Sequence, residues 1–191
     1  RLGNSQKIVR TIHLRAKSAP KRIVFAEADQ LDVLKAAQIV KEEKIGKPIL
    51  LGDEKTIREL MDSIDFNEDV KIFDPKSSEQ DEIRKKYARR FWKEQKRKGI
   101  TLYDAENLMK QRNYYAGMML SMGDVDALIS GHSRSYPVTF KPIMETIGKA
   151  KGIENVATTN LMITSKGPLF FSDTSINIDP SPKELATIAN M

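Results

Sequence analysis

The chain has 191 residues, of which 40% are hydrophobic and 30% are charged, a balance typical of a globular protein of one domain or slightly more. It has no cysteine and no run of about 18 apolar residues, so disulfides, membrane spans and a secretory signal lack support, and we expect a cytoplasmic protein without a membrane partner. The net charge of +6 is typical of a nucleic-acid-binding protein, but also of a domain that binds an anionic cofactor such as a nucleotide or coenzyme A.

The first part of the chain predicts alternating helices and strands. The spacing of apolar residues predicts an amphipathic helix over residues 4–17, and Ser18-Ala19-Pro20 predicts a break after it. The elements predicted next are a strand over 22–26, a helix over 31–43, a strand over 48–51, a helix capped by Asp53 and a strand over 70–73.

A long helical region is predicted after Asp74-Pro75, because Ile83, Tyr87 and Phe91 recur at a spacing of four, and Gly99 ends it. Thr101 and Asp104 form a capping-box pattern, which predicts another helix that runs to Met122 and ends at Gly123. A fourth, buried strand is predicted over 125–130. The methionines of this region are interpreted as core residues: Met118, Met119 and Met122.

This alternation predicts an α/β fold, with a parallel sheet covered by helices on both faces. From about residue 151 the pattern changes to short β-prone runs over 156–159, 161–164 and 169–172, and Ser181 with Glu184 predicts the beginning of a helix. We therefore expect an N-terminal helix and linker over 1–19, a first α/β subdomain over 20–150, and the start of a second α/β subdomain over 151–191.

Ligands of open parallel sheets bind at the carboxyl ends of the strands. The predicted strands end at Glu27, Gly52, Asp74 and the loop 130–135. This loop combines a glycine, hydroxyls, an imidazole and a guanidinium: Ser130, Gly131, His132, Ser133, Arg134 and Ser135. A loop that leads into a helix presents backbone N–H groups to an anion, and an arginine adds a fork that fits phosphate. The alternative is a polar turn without a ligand.

No catalytic residue and no metal ligand follows from these patterns. A single histidine in a loop is more often a hydrogen-bonding residue than a catalyst, and no carboxylate close in sequence marks His132 as an oriented base. The motifs of zinc, calcium, dinucleotide and Walker-type phosphate sites are absent from the sequence.

Residues 84–98 contain nine lysines or arginines and one glutamate. Such a run is most often a solvated helix face, although its end could also direct cations at a bound phosphate or at nucleic acid. The predicted sheet supplies a crevice for a small ligand, and no nucleic-acid-binding fold is recognisable, so we expect no nucleic-acid partner.

Four segments carry a further pattern: Lys21-Arg22-Ile23-Val24-Phe25-Ala26-Glu27, Lys98-Gly99-Ile100-Thr101, the segment 123–131 that begins Gly123-Asp124-Val125-Asp126, and Ser172-Asp173-Thr174-Ser175-Ile176-Asn177. In order and spacing, they resemble the phosphate acetyltransferase family from about Pro20 onward. The segment 1–19 and the variant Ser133-Arg134-Ser135-Tyr136 look more like the version of this domain that is fused behind the catalytic part of bacterial NADP-dependent malic enzymes. This resemblance agrees with a chain that begins at Arg1 as part of a longer protein.

The resemblance implies a domain that binds acetyl-CoA or CoA and that regulates or assembles a homo-oligomeric malic enzyme. The NADP and the Mg or Mn ion of such an enzyme belong to the upstream malic enzyme domain, which is the expected partner. The resemblance extends the ligand site beyond the loop 130–135 to Lys98, Thr101, Lys141, Asp173 and Asn177.

Two departures from the family pattern argue against acetyl transfer. Active relatives have arginine where this chain has Gln95, and arginine before the proline where it has Lys141-Pro142. Gln95 removes a charge, whereas Lys141 keeps the charge but loses the planar fork that holds a phosphate at two points. The catalytic Ser-Arg pair and Asp base of the active family lie nearer its C-terminus than the segments matched here. The alternatives are an active phosphate acetyltransferase and, third, a nucleic-acid-binding module.

Overall fold

The structure, a computed structural model, describes residues 4–153 and 155–191. The first three residues of the predicted N-terminal segment lie outside it. The chain divides into two compact units. One unit is Ala16–Gly148, and the other combines the chain up to Arg15 with Lys149–Met191.

The first unit is built on a parallel four-stranded sheet. Its strands are β1 (Lys21–Phe25), β2 (Gly46–Leu51), β3 (Lys71–Phe73) and β4 (Ala127–Ile129), in the order β3-β2-β1-β4. The helix α1 (Asn4–Ser18) lies mostly in the other unit. The helices of the first unit, in chain order, are α2 (Leu31–Glu42), α3 (Glu54–Ser63), α4 (Asp81–Gln95), α5 (Leu102–Leu108), α6 (Arg112–Ser121) and α7 (Tyr136–Thr146). Short 3-10 turns at Ser78–Gln80 and Lys96–Lys98 flank α4.

Helices cover both faces of the sheet's central strands β1 and β2, which confirms the predicted α/β fold. The strand predicted as buried over 125–130 is shorter (Ala127–Ile129) and, contrary to that prediction, partly exposed, with Ile129 46% exposed. Successive strand residues point to opposite faces, so Val24 joins a core with residues of α4, α5 and α6, and Phe25 joins one with residues of α2 and α3. Tyr87 and Phe91 of α4 are buried as their spacing predicts, whereas Ile83, one turn earlier, is 39% exposed. Met118 and Met119 fill the first of these cores.

The predicted single helix over 101–122 is wrong. The chain forms two helices, α5 and α6, and Gln111 between them has an extended backbone (φ −89°, ψ 129°). Met109 is fully buried in this connection, so tertiary packing fixes the break although the local sequence has no proline or glycine. The break creates a new helix N-terminus at Arg112.

The second unit contains an antiparallel hairpin of β5 (Thr159–Thr164) and β6 (Gly167–Ser172), followed by α8 (Pro182–Ala189). The predicted runs 161–164 and 169–172 fall in these two strands, whereas 156–158 are not in a strand. Ser181 and Glu184 form the predicted capping box at the start of α8. Among the described residues, none of the helices combines the length and the hydrophobicity that a membrane span requires.

Candidate functional site at the carboxyl edge of the sheet

Glu27 and the loop 130–133 lie side by side at the carboxyl edge of the sheet. β1 and β4 are neighbours in register, with Phe25 opposite Ile129, so the residues that follow both strands meet. The Glu27 carboxylate accepts backbone N–H groups from Gly131 at 2.6 Å, His132 at 3.2 Å and Ser133 at 2.7 Å. Glu27 is 4% exposed, so the loop is built over a buried carboxylate.

Two hydroxyls complete the environment of this carboxylate. Ser130 Oγ lies 3.0 Å from Glu27 Oε1, and Ser133 Oγ lies 2.5 Å from Glu27 Oε2. Burial raises the pKa of Glu27, but hydrogen bonds from Ser133, Gly131 and Ser130 outweigh burial and lower this pKa to about 2. Glu27 is therefore ionised at neutral pH. The prediction that the loop's backbone donors are free for an anionic ligand is wrong for Gly131, His132 and Ser133.

A cationic cavity of about 340 Å³ opens beside this loop. Four cationic side chains and the Glu27 carboxylate lie in its wall, together with the beginning of α6 and part of α7. The cations are Lys76, Lys110, Arg112 and Arg134. Arg112 Nη1 contacts Asp29 Oδ1 at 2.5 Å, which partly neutralises its charge. The cavity suits an anionic group because the positive end of α6, whose N-cap Gln111 makes no side-chain cap bond, adds to the lysines and Arg134.

A second cavity of about 380 Å³ lies on the α2 side of the same loop. Its wall is largely apolar, with Phe25, Val33 and Ile129, and Glu27 lines it as well. His132 Nε2 is 3.8 Å from Asp32 Oδ2, which is too long for a hydrogen bond. Asp32 is a nearby carboxylate that the sequence around His132 did not reveal, but it does not orient the imidazole through a hydrogen bond.

Three further predicted site residues have local structural roles. Thr101 is the N-cap of α5; its hydroxyl accepts from Asp104 N at 3.1 Å, and the Asp104 carboxylate accepts from Thr101 N at 3.0 Å. Lys98 is exposed just before Gly99, whose φ of 88° ends the preceding helical turn. Lys141 Nζ lies 3.9 Å from Glu145 Oε1 one helical turn later. In the described part of the chain, Lys98, Thr101 and Lys141 are not among the residues that line either cavity.

Asp173 and Asn177 belong to the second compact unit. Asp173 has a left-handed backbone (φ 56°), and its Oδ1 accepts the Asn177 N–H at 3.2 Å. Asn177 Nδ2 donates to the Val156 carbonyl at 3.1 Å. Within the described residues, Asp173 Oδ2 is buried without a hydrogen-bond partner, so the second unit has an acceptor available at this turn.

Gln95 is directed into the protein. It is 8% exposed, and its Nε2 donates to the Glu145 carbonyl at 2.7 Å, which joins the end of α4 to α7. The Asp126 carboxylate of the segment 123–131 likewise has a structural partner, because it accepts from Arg22 Nη2 at 2.9 Å and Nε at 3.1 Å. Hydrogen bonds from Arg22 hold the pKa of Asp126 well below its usual range.

Among the described residues, three of the nine cations in the basic run 84–98 form ion pairs within α4: Arg84, Lys85 and Arg90. Arg84 contacts the Pro75 and Ser77 carbonyls and the Asp81 carboxylate, and Arg90 pairs with Glu94 at 2.7 Å. These contacts favour the interpretation of α4 as a packed helix with a solvated face.

Sequence reasoning missed several residues of the cationic cavity: Lys76, Lys110, Arg112 and Asn113. Arg112 and Asn113 were hidden inside the wrongly predicted continuous helix. Lys76 follows Asp74, which was noted as a strand end, and Asp74 Oδ1 accepts the Lys76 N–H at 2.8 Å. A rule that collects cations after every strand end would have found Lys76, but no local signal marks Lys110.

Comparisons with known proteins agree on one family. A family model described as phosphate acetyl/butaryl transferase matches residues 7–191. A phosphate acetyltransferase from Thermoanaerobacterium thermosaccharolyticum is 34% identical over 95% of this chain and 56% of its own length. An NADP-dependent malic enzyme from Salmonella typhimurium is 29% identical over 96% of this chain and 24% of its own length. The EutD phosphotransacetylase from Staphylococcus aureus superposes with a TM-score of 0.84 at 25% identity, over 97% of this chain and 55% of that one. The chain thus spans about half the length of the phosphate acetyltransferase that it matches.

Proposed function

We propose that this chain, which belongs to the phosphate acetyl/butaryl transferase family, is an acyl-CoA-binding domain of an NADP-dependent malic enzyme. In this role it regulates the malic enzyme and helps to assemble a homo-oligomer, in the cytoplasm. The ligand is acetyl-CoA or a related CoA compound. NADP and the divalent metal ion belong to the upstream malic enzyme domain.

The cationic cavity is the observation that carries the binding proposal. Coenzyme A carries a pyrophosphate and a 3′-phosphate, and the cations around this cavity, Lys76, Lys110, Arg112 and Arg134, match such a ligand in charge. The cavity lies at the carboxyl edge of a parallel sheet, where small ligands of such folds bind.

The position of Gln95 supports binding without turnover. Acetyl transfer between phosphate and CoA needs a base that generates the CoA thiolate and cations that neutralise acetyl phosphate. Where the family resemblance implies an arginine, Gln95 is neutral, buried and bonded to the Glu145 carbonyl. Lys141, at the second such position, lies beside Glu145 on the exposed side of α7.

The test is calorimetric titration of acetyl-CoA, CoA and acetyl phosphate into the complete protein, with an assay of thiol release from acetyl-CoA and phosphate on the same sample. We expect binding of acetyl-CoA and no thiol release. Arg134→Ala should weaken binding about tenfold or more, because a charged hydrogen bond contributes about 1.5 to 3 kcal/mol. Arg58→Ala is the matched control, since Arg58 is exposed on α3 and pairs with Glu54. Absence of acyl-CoA binding, or equal effects of the two substitutions, would refute the proposal.

An active phosphate acetyltransferase is the second candidate. It is favoured by the similarity to the Thermoanaerobacterium enzyme, which exceeds the similarity to the malic enzyme. Thiol release at a rate proportional to protein concentration would establish this function. It would also show that Gln95 and Lys141 are compatible with transfer.

A further inference from the structure

The Glu27 carboxylate lies beneath the loop 130–133 and accepts hydrogen bonds from the backbone N–H groups of this loop. Three consecutive backbone N–H groups, from Gly131, His132 and Ser133, converge on one carboxylate. Gly131 has a φ of 105°, a backbone region that favours glycine, so the loop is shaped to bring these groups together. The carboxylate is ionised and buried, and its hydrogen bonds are therefore of the stronger, charge-assisted kind.

A concave series of consecutive backbone N–H groups is a common anion-binding arrangement in proteins. In this chain the arrangement is occupied by an anion that belongs to the protein. A phosphate-bearing ligand therefore cannot use the N–H groups of Gly131, His132 and Ser133 without displacing Glu27. The side-chain cations of the cavity remain for it.

The Glu27 carboxylate also lies between the two cavities, because it lines both of them. The loop that it holds continues into Arg134, which lines the cationic cavity, and includes His132, which lines the largely apolar one. The orientation of both side chains consequently depends on the backbone that Glu27 fixes.

We propose that Glu27 is a positioning residue, whose carboxylate fixes the loop 130–133 and thereby places Arg134 and His132 for ligand binding. Loss of its negative charge should release the loop and weaken binding of acetyl-CoA. The claim about affinity rests on the proposed function, whereas the claim about the loop does not.

The experiment compares wild type, Glu27→Gln and Glu59→Gln in the full chain. Glu27→Gln keeps the shape of the side chain but removes the charge and turns an NH₂ group toward other donors. Glu59→Gln makes the same chemical change on α3, where the Glu59 side chain is exposed and its nearest cation, Lys55, is 3.9 Å away. Hydrogen exchange of the Gly131, His132 and Ser133 amides reports on the loop, and calorimetry reports on acetyl-CoA.

We expect Glu27→Gln to speed exchange of these amides about tenfold or more and to weaken acetyl-CoA binding by a similar factor, since a lost charged hydrogen bond has an effect of this order. Glu59→Gln should change neither. Wild-type exchange rates in Glu27→Gln would overturn the proposal. Faster exchange with unchanged acetyl-CoA affinity would overturn the positioning role.

A measurement on the wild type keeps the test decisive if Glu27→Gln does not fold, and chemical rescue of a truncated side chain adds a second one where the variant folds. In the wild type, the amide proton resonances of Gly131 and Ser133 should move together with the Glu27 carboxyl carbon resonance as that group is protonated, and independent movement would contradict the proposal. In Glu27→Ala, sodium formate should restore slow exchange where sodium chloride does not. If wild type binds no acetyl-CoA, the proposed function and the affinity claim fall, while the exchange data still decide whether Glu27 holds the loop.

Discussion

Gly117→Ala tests the close contact between α6 and α7. A Cβ atom added at Gly117 would lie 2.1 Å from Thr146 Oγ1, far inside a normal contact distance, and 3.0 Å from Thr146 Cβ, which is a tight contact. Thr146 cannot simply move outward, because it is 2% exposed and its hydroxyl donates to the Pro142 carbonyl at 2.7 Å. We therefore expect the substitution to displace α7 or to rotate Thr146 away from Pro142.

The expected loss of stability follows from three contributions. An alanine inside a helix is favoured over glycine by about 1 kcal/mol. Overpacking costs about 2 kcal/mol, and the lost hydroxyl bond of Thr146 costs about 1 kcal/mol. The net effect is a decrease of about 2 kcal/mol in the free energy of unfolding, whereas helix propensity alone would predict an increase of about 1 kcal/mol.

Urea unfolding of wild type, Gly117→Ala, Thr146→Ala and the double variant measures this effect. Removing the Thr146 hydroxyl and methyl makes room for the new Cβ, and the hydroxyl bond is then lost only once. The double variant should therefore be more stable than the sum of the single effects by about 3 kcal/mol. If Gly117→Ala is as stable as wild type, or if the two substitutions are additive, the inferred contact between α6 and α7 is wrong.

Three further predictions concern single side chains. The lowered pKa of Glu27 stabilises the folded protein at pH values above 4.5, the usual pKa of a glutamate. The free energy of unfolding of wild type should therefore fall by up to about 3 kcal/mol relative to that of Glu27→Gln as the pH falls from about 4.5 to 2. If the carboxylate were solvated, urea unfolding would show the same pH dependence for both proteins. Thr139→Val should leave the free energy of unfolding unchanged or raise it by up to about 1 kcal/mol, because the Thr139 hydroxyl is buried without a partner among the described residues. A clear loss of stability in thermal unfolding would show that the hydroxyl has a partner, such as a bound water. Thr101→Ala should lower the free energy of unfolding by about 1 kcal/mol, because the N-cap of α5 is lost. It should leave the affinity for acetyl-CoA unchanged in calorimetry. A loss of affinity without a loss of stability would instead identify Thr101 as a ligand-binding residue.

The α/β fold could be predicted because most of its strands and helices have local signals in the sequence. Strands β1 to β4 are short β-prone runs, and Asp53 and Gly99 mark a helix start and a helix end as predicted. The break between α5 and α6 could not be predicted, because no residue from Met109 to Gln111 disfavours a helix strongly. Packing of Met109 in the core and the contact of Arg112 with Asp29, 83 positions earlier, involve residues distant in the chain.

The loop 130–135 could be found because strand ends are the usual binding positions in such folds. The hydrogen bonds of this loop could not be predicted, because the acceptor for its N–H groups is Glu27, more than a hundred positions earlier in the chain. The sequence shows that Glu27 ends a strand. It does not show that β1 and β4 are neighbours, and this adjacency turns two separate strand ends into one site.

The same adjacency has a consequence for how the protein folds. β1 pairs with β2 at a separation of 25 residues, from Lys21 to Gly46, and with β4 at a separation of 104, from Ile23 to Ala127. The fourfold longer loop costs about 1 kcal/mol more in chain entropy, and the Arg22–Asp126 ion pair spans the same 104 positions. We therefore expect β1 and β2 to pair early and β4 to join late. During synthesis, the loop N–H groups that pair with Glu27 are made about a hundred residues after Glu27 itself. We therefore expect the carboxyl edge of the sheet to be among the last parts of this unit to form.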